Sequence, residues 1–410
     1  MAMTFRCVGA DELDRVADTR FLCYGGAERD RARFHERLRN DARAKPGDYL
    51  LAEVDGRAVG TATSLSLKMW VRGGAIPCQG VAWVGAIKTF RRRGGGEGSP
   101  GVASAVMHEM LRMARERGDV VTALMPFRGS YYEHFGYSLV ERRNEWTIPL
   151  SVLPAGPFDG VRFYEPADFT ARAECLRRVN QRGQSDIERT DDVWRSFATP
   201  ALDGLEVVDR PSPDGPVHGS MFFTQQHENG KDILRVVEAV YEDLPALRRQ
   251  LYFLASLKDQ YSAVKIALPG DLRLNWLLKE TQLPHRPVNH AFATVNPITR
   301  MQLRVLNHAK FLEALHLPGD VTGSVTVAVH ESEGSVSRLR IDIEGGRASV
   351  GARDGATEFE CPDRVWAAVA TGDLPATEAL RLGLATGDMR AAGVLDVLSR
   401  GPAPWSNEYF

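Results

Sequence analysis

The fold is decided by the stretch Val81-Ala82-Trp83-Val84-Gly85-Ala86-Ile87, followed by the loop Arg91-Arg92-Arg93-Gly94-Gly95-Gly96 and an amphipathic segment that begins at Val102. The first run is typical of a strand, and the apolar periodicity from Val102 onwards predicts a helix. Glycines let the backbone approach an anion closely, and a helix N-terminus offers free N–H groups. Three arginines add charge-assisted contacts. This order therefore predicts a pyrophosphate site.

Two common phosphate-binding motifs fit the loop poorly. A Walker loop needs Lys followed by Ser or Thr, and the loop contains no lysine. A dinucleotide fingerprint is nominally present as Gly96, Gly98 and Gly101, but it requires an acidic residue near the end of the next strand. The chain has Met125-Pro126-Phe127-Arg128 there. The third interpretation is an arginine-glycine loop that follows an antiparallel meander in the sequence.

Turn signals before the loop predict such a meander. Asp55-Gly56 separates two apolar runs, which indicates a two-residue hairpin, and Gly73-Gly74 marks a second turn. The segment 120–125 is a candidate buried strand that Pro126 ends. The arginine-rich segment 33–43 is interpreted as a solvated helical face. Helices, meander, loop, helix and strand in this order resemble the GCN5-related N-acetyltransferases (GNAT), whose R-x-x-G-x-G loop binds the pyrophosphate of acetyl-coenzyme A (acetyl-CoA).

The pattern starts again after a break at residues 150–159. Residues 161–168 echo residues 5–11 as strand followed by helix start, and Asn229-Gly230 predicts another hairpin. No glycine-rich loop follows the second meander, which continues as Tyr241-Glu242-Asp243-Leu244-Pro245, so this copy is expected not to hold phosphates. From about residue 295 the pattern changes once more. We therefore predict an α/β (α+β) chain with three domains over residues 1–150, 151–294 and 295–410.

Three features narrow the resemblance to the Eis (enhanced intracellular survival) family of acetyltransferases. They are Tyr132-Glu133-His134-Phe135-Gly136-Tyr137, Leu303-Arg304-Val305-Leu306-Asn307 and the aromatic Phe410. The resemblance implies a catalytic GNAT domain, a degenerate GNAT domain and a sterol-carrier-like domain. It also implies a homo-oligomer, which would be a hexamer. The segment 21–26 does not clearly reproduce the acidic position of that family's substrate pocket.

The resemblance also implies roles for individual residues. Tyr132 matches the acid that protonates the departing thiolate, and the α-carboxylate of Phe410 matches the proposed base. The strand residues whose backbone meets the cofactor are Val84, Gly85 and Ala86. The pyrophosphate loop corresponds to Arg91, Arg92, Arg93, Gly94, Gly95 and Gly96. Further cofactor contacts match Phe127 and Arg128.

Composition excludes several other classes. With 43 % apolar and 25 % charged residues and a net charge of -2, the 410-residue chain is typical of a globular protein without a nucleic-acid partner. The sequence has no long apolar run and no secretory signal, so a cytoplasmic protein without a membrane partner is expected. The five cysteines form no CxxC pair, and neither a disulfide framework nor a metal is expected.

The predicted function is direct acetyl transfer from acetyl-CoA to a primary amine of a cationic, aminoglycoside-like small molecule or of a lysine-like acceptor. The alternative is a non-catalytic protein that binds a small molecule or lipid and carries a vestigial GNAT domain.

Overall fold

The computed structural model describes residues 3–91, 101–197, 203–282, 285–286, 291–352 and 356–410. Within these ranges the strands, numbered in chain order, are β1 Met3–Cys7, β2 Tyr49–Val54, β3 Arg57–Val71, β4 Gly74–Ala86, β5 Val121–Leu124, β6 Ser138–Leu139, β7 Arg143–Pro149, β8 Val161–Phe163, β9 Gln184–Ile187, β10 Leu205–Asp209, β11 Gly219–Glu228, β12 Lys231–Tyr241, β13 Ala263–Pro269, β14 Thr294–Ile298, β15 Gln302–Val305, β16 Gly323–His330, β17 Val336–Glu344, β18 Arg347–Ala352, β19 Phe359–Pro362 and β20 Thr386–Gly387. The α-helices are α1 Leu13–Tyr24, α2 Arg31–Arg39, α3 Val102–Arg117, α4 Gly129–Glu133, α5 Phe169–Arg182, α6 Asp191–Phe197, α7 Leu244–Ser256, α8 His308–Ala314, α9 Asp363–Thr371, α10 Ala376–Arg381 and α11 Met389–Leu395.

The first sheet has the order β1-β2-β3-β4-β5-β15-β6, with β9 paired to β3. Its meander confirms the hairpin predicted at Asp55-Gly56, because Val54 faces Arg57 and both turn residues have positive φ (51° and 75°). Such a pair of left-handed residues matches the right-handed twist of the flanking strands. The predicted helix after the arginine-glycine loop is also confirmed, as α3.

Strands β4 and β5 diverge, and this divergence positions the site. They pair in parallel only from Cys78 opposite Val121 to Val81 opposite Leu124. Beyond this point β4 runs on to Ala86, whereas β5 ends shortly before Pro126, which has no N–H to donate. A β-bulge adds to the divergence, since β4 holds one extra residue at Trp83, whose φ is 56°. One edge of β4 therefore faces a cleft.

The second sheet has the order β14-β7-β13-β12-β11-β10-β8 and confirms the hairpin predicted at Asn229-Gly230. The two sheets exchange strands across the boundaries expected from the sequence. Strand β7 precedes residue 150 but belongs to the second sheet, and β15 follows residue 295 but lies between β5 and β6. The domain limits 1–150, 151–294 and 295–410 stay predictions, because the sheets are built from strands on both sides of each limit.

The third sheet has the order β18-β17-β16-β19-β20 and packs with α9 and α11. One apolar cluster joins it to the first sheet, and Phe410 belongs to that cluster. The buried Arg304 strengthens the junction: it donates to the carbonyl of Phe135 at 2.8 Å and pairs with Glu331 at 3.1 Å and Asp363 at 3.4 Å. The sterol-carrier-like character of this part stays a prediction.

The described residues form a mixed α/β fold of three sheets, and the chain passes four times between the first sheet and the second. Among the described helices, none is long and apolar enough to cross a lipid bilayer.

Candidate active site

A cavity of about 1320 Å³ opens where β4 and β5 diverge, and it is bounded by α1, α3, α4 and the C-terminal residues. It brings together eight of the predicted site residues, namely Val84, Gly85, Ala86, Arg91, Phe127, Arg128, Tyr132 and Phe410. The other five predicted residues, Arg92, Arg93, Gly94, Gly95 and Gly96, lie outside the described residues. Residues that are far apart in sequence therefore meet at one cleft.

Part of the cavity lining suits a diphosphate with an extended arm. Arg91 and Arg128 line it, together with the first turn of α3. The N-cap of α3 is Gly101, which offers no side-chain acceptor, and no described side chain caps the first N–H groups of this helix, which suit an anion. The edge of β4 beyond Val81 offers further backbone groups. The residues present thus fit acetyl-CoA as a co-substrate.

Gly85 is needed for the close packing of β4 against α1. A Cβ added there would lie 2.9 Å from the hydroxyl of Tyr24 and 3.0 Å from the Cβ of Cys23. That hydroxyl donates a hydrogen bond to the carbonyl of Val84. Tyr24 therefore fixes the local orientation of the strand and occupies one of its carbonyl groups.

Tyr132 lies on α4 with only 5 % of its surface exposed. Its ring packs edge-on against Tyr131, with 5.0 Å between the ring centroids. Burial, with a smaller contribution from Tyr131, raises the pKa of Tyr132 to about 12. The phenol therefore keeps its proton at neutral pH. A hydroxyl in this state can donate a proton or a hydrogen bond, but it cannot act as a base.

The segment that contains Tyr132 is fixed by its neighbours, which explains its residue pattern. Gly136 has a φ of 76°, and a Cβ there would lie 2.2 Å from Oδ2 of Asp363, so glycine is required on both counts. The hydroxyl of the fully buried Tyr137 lies 2.8 Å from Oγ1 of Thr122 on β5. The segment thus ties α4 to β5 and to the start of α9.

Cys23 is the cysteine that lines this cavity among the described residues. Burial raises the pKa of its thiol to about 12. Because the thiolate is the nucleophilic form of cysteine, this side chain is poorly suited to carry an acyl group.

The C-terminal residues reach the cavity along the second domain. Arg143 stacks on Trp405 at 3.7 Å, and Arg189 donates to Glu408 at 2.7 Å. Arg43 then donates to the carbonyl of Tyr409. Phe410 is 8 % exposed, and one of its ring carbons lies 3.1 Å from the position that a Cβ on Gly80 would take. Trp405 and Phe410 are thus docked, while the side chain of Tyr409 is 67 % exposed.

The sequence interpretation missed part of the cavity wall. Arg37 and Arg43 line the cavity, which the interpretation of residues 33–43 as a solvated helical face did not include. Arg37 is exposed on α2, as expected, whereas Arg43 is half-buried beyond the end of that helix at Arg39. Arginine spacing alone shows no difference between a solvent-facing and a cavity-facing side chain. The docking of Tyr409 against Arg43, which the sequence does not reveal, makes the difference.

The chain is similar to known acetyltransferases. Residues 4–140 and residues 186–305 each match a family model of an acetyltransferase (GNAT) domain. An uncharacterized N-acetyltransferase of Streptomyces avermitilis is 26 % identical over 393 residues, which cover 89 % of each chain. A second uncharacterized N-acetyltransferase of that organism is 32 % identical over 129 residues, about 30 % of each chain.

Solved structures share the fold over the whole chain. A GCN5-related N-acetyltransferase from Anabaena variabilis has a TM-score of 0.83 at 18 % identity, with 100 % of both chains covered. Eis1 from Mycobacterium abscessus has a TM-score of 0.79 at 18 % identity, again with 100 % of both chains covered. At these identities the likeness concerns the fold.

Proposed function

Because this chain is an acetyl-CoA-dependent N-acetyltransferase with tandem GNAT domains, we propose that it transfers the acetyl group directly to a primary amine within the first-domain cavity. The observation that carries the proposal is that Tyr132 and Phe410 line one cavity together with the free edge of β4. A protonated phenol and Phe410 thus line the same cavity as backbone groups that suit a thioester.

In the proposed reaction the neutral amine attacks the thioester carbonyl carbon, and the C–S bond breaks. The amine needs a proton acceptor, since its ordinary pKa is about 10.4. The α-carboxylate of Phe410, directly or through a water molecule, takes that proton. Tyr132 gives its proton to the departing thiolate. Backbone N–H groups of β4 stabilise the oxyanion that forms between the two steps.

Direct transfer is favoured over an acetyl-cysteine relay. Cys23 is the candidate nucleophile within the described part of the cavity, and its raised pKa leaves almost no thiolate at neutral pH. The protein, acetyl-CoA and the amine therefore form a ternary complex before the acetyl group is transferred.

The acceptor belongs to one of two proposed classes, a cationic, aminoglycoside-like molecule or a lysine-like amine. A non-catalytic, ligand-binding role is set aside, because both matched domains are those of acetyltransferases. Homo-oligomer formation stays a prediction.

The test is Tyr132→Phe. We expect kcat to fall by about 100-fold, in the range of general acid catalysis, while the Kd for acetyl-CoA changes less than twofold. Free-thiol release measures turnover, and calorimetry measures binding. The matched control is Tyr241→Phe on β12 in the second domain, which should leave both quantities unchanged. Unaltered turnover of the Tyr132→Phe protein would refute its role as the acid.

A further inference from the structure

The charge of the cavity wall is one-sided. The described residues that line it include four arginines, Arg37, Arg43, Arg91 and Arg128, and no aspartate or glutamate side chain. The α-carboxylate of Phe410 would be the negative group facing them. Such a wall repels polycations and attracts anions.

The four arginines form two pairs that serve different parts of the site. Arg91 and Arg128 line only the first cavity, as does the first turn of α3, and these groups suit the diphosphate. Arg37 and Arg43 also line a second cavity of about 570 Å³, which shares Trp83 and Tyr409 with the first one. The two cavities thus adjoin at these four residues. An acceptor approaching from the smaller cavity passes Arg37 and Arg43 before it reaches Tyr132.

Arg43 and Arg37 differ in what already engages them. Arg43 pairs with Asp41 at 3.0 Å and donates to the carbonyl of Tyr409. Arg37 is exposed on α2, and no ion pair joins it to another described residue. It therefore presents a guanidinium that is free to bind an anion from solution.

The described lining of the smaller cavity also holds three acidic residues beside Arg37 and Arg43, but two of the three are already paired. Asp41 is engaged by Arg43, and Glu408 by Arg189 at 2.7 Å. Glu36 is the third acidic residue there, beside Arg37 on α2. These positions do not provide the several free carboxylates that a polyamine acceptor would need.

We infer that the acceptor is a primary amine that also carries a carboxylate, and that Arg37 binds this carboxylate at the end of the site opposite acetyl-CoA. The inference rests on the proposed function and deepens it, because it selects the lysine-like class over the aminoglycoside-like class. The planar guanidinium matches a carboxylate in two parallel hydrogen bonds. Trp83 and Tyr409, which line both cavities, flank the path of the apolar arm.

The experiment compares two amines that differ by one group. L-Lysine and 1,5-diaminopentane carry the same aliphatic amine, and only lysine has the carboxylate. We expect kcat/KM for lysine to exceed that for the diamine by about tenfold or more, as for a charge-assisted hydrogen bond. Kanamycin serves as the polycationic probe and should be the poorest acceptor of the three.

Arg37→Ala then tests the assigned residue. It should raise KM for lysine by about tenfold, leave kcat within twofold, and leave the diamine unaffected, whereas Arg37→Lys should restore part of the lysine preference. The control is Arg39→Ala on the same helix, since Arg39 pairs with Asp14 at 2.9 Å and lines neither cavity.

The outcomes separate the two proposals. Equal or better turnover of the diamine or kanamycin overturns the carboxylate assignment and leaves the proposed function intact. An equal loss for both amines in Arg37→Ala also overturns it, because that pattern indicates a structural role. If acetyl-CoA binds but none of the amines is acetylated, the proposed function fails, and this inference fails with it.

Discussion

In each GNAT domain a long strand pairs in parallel with part of its neighbour and then continues without it. Strand β4 leaves β5 after Val81, and β12 leaves β13 after Arg235. The domains differ in what stands at the point where an anion would bind. In the first, Gly101 begins α3 without a side-chain cap. In the second, the carboxylate of Asp243 begins α7 and accepts from the N–H of Ala246 at 2.9 Å.

The charged residues beside β4 and β12 also differ between the two domains. Four arginines and no aspartate or glutamate side chain line the described wall of the first-domain cavity, and one of the four, Arg43, pairs with Asp41 outside that wall. On β12 of the second domain, Glu238 pairs with Arg189 at 2.6 Å, and Glu242 after the strand pairs with Arg178 at 2.9 Å. In the second domain, carboxylates of the protein itself thus bind the arginines and cap the N-terminus of α7. We therefore expect one acetyl-CoA for each chain, bound by the first domain.

The C-terminal residues connect the two regions, and interfering with them should have the largest effect. Glu408 pairs with Arg189 in the second domain, while Phe410 lines the first-domain cavity. Adding Gly-Ser-Gly-Ser after Phe410 should lower kcat at least 100-fold, because it removes the carboxylate from its position.

A variant that keeps the carboxylate gives the contrast. Phe410→Leu should lose less than tenfold, since the apolar contact shrinks but the base remains. Steady-state turnover checks both proteins. If the extended protein is fully active, the α-carboxylate is not the base; if both variants are equally inactive, the ring acts as a structural plug.

A smaller effect is expected where β9 joins the first sheet. Asp186 on β9 is buried, its Oδ1 has no hydrogen-bond partner among the described residues, and burial raises its pKa well above the ordinary value. The unfolded chain loses this proton near pH ~4, whereas the folded chain retains it, so stability falls as pH rises from there towards the folded-state pKa.

Asp186→Asn removes this pH-dependent cost. The variant should have a higher Tm than the parent, and the difference should be larger at pH 8 than at pH 5. Thermal unfolding at the two pH values measures it, with Asp192→Asn on the exposed part of α6 as the control. A difference that is independent of pH would contradict the assignment of a protonated Asp186.

The smallest effect concerns the cap that distinguishes the second domain. Asp243→Ala should lower the stability by about 1 kcal/mol, the usual cost of losing an N-cap. It should leave the Kd for acetyl-CoA unchanged, because this helix terminus is not a phosphate site. Denaturant unfolding and calorimetry check the two parts; a changed Kd would show that the second domain takes part in binding.

Local signals predicted much of the fold, whereas long-range pairing did not follow from them. Asp55-Gly56 and Asn229-Gly230 specify hairpins through their own backbone preferences, and both form. The insertion of β15 between β5 and β6 depends on register with strands more than 150 residues away in sequence. No local pattern encodes such a pairing.

The same difference between local and long-range signals applies to the candidate active site. The strand and helix around the loop could be predicted because glycine, arginine and apolar periodicity act locally. Tyr132 and Phe410 were predicted through family resemblance, since a tyrosine or phenylalanine carries no spacing signal of its own. Tyr24 and Arg37 were missed because only the packing of α1 and α2 beside β4 brings them to the cavity.

The most direct test of the account is a calorimetric titration of the whole chain with acetyl-CoA. We expect a single acetyl-CoA site per chain. Arg91→Ala should raise its Kd about tenfold or more, and Asp243→Ala should leave the Kd unchanged. Two equivalent sites, or a single site that Asp243→Ala abolishes and Arg91→Ala leaves intact, would contradict the division of roles between the two domains.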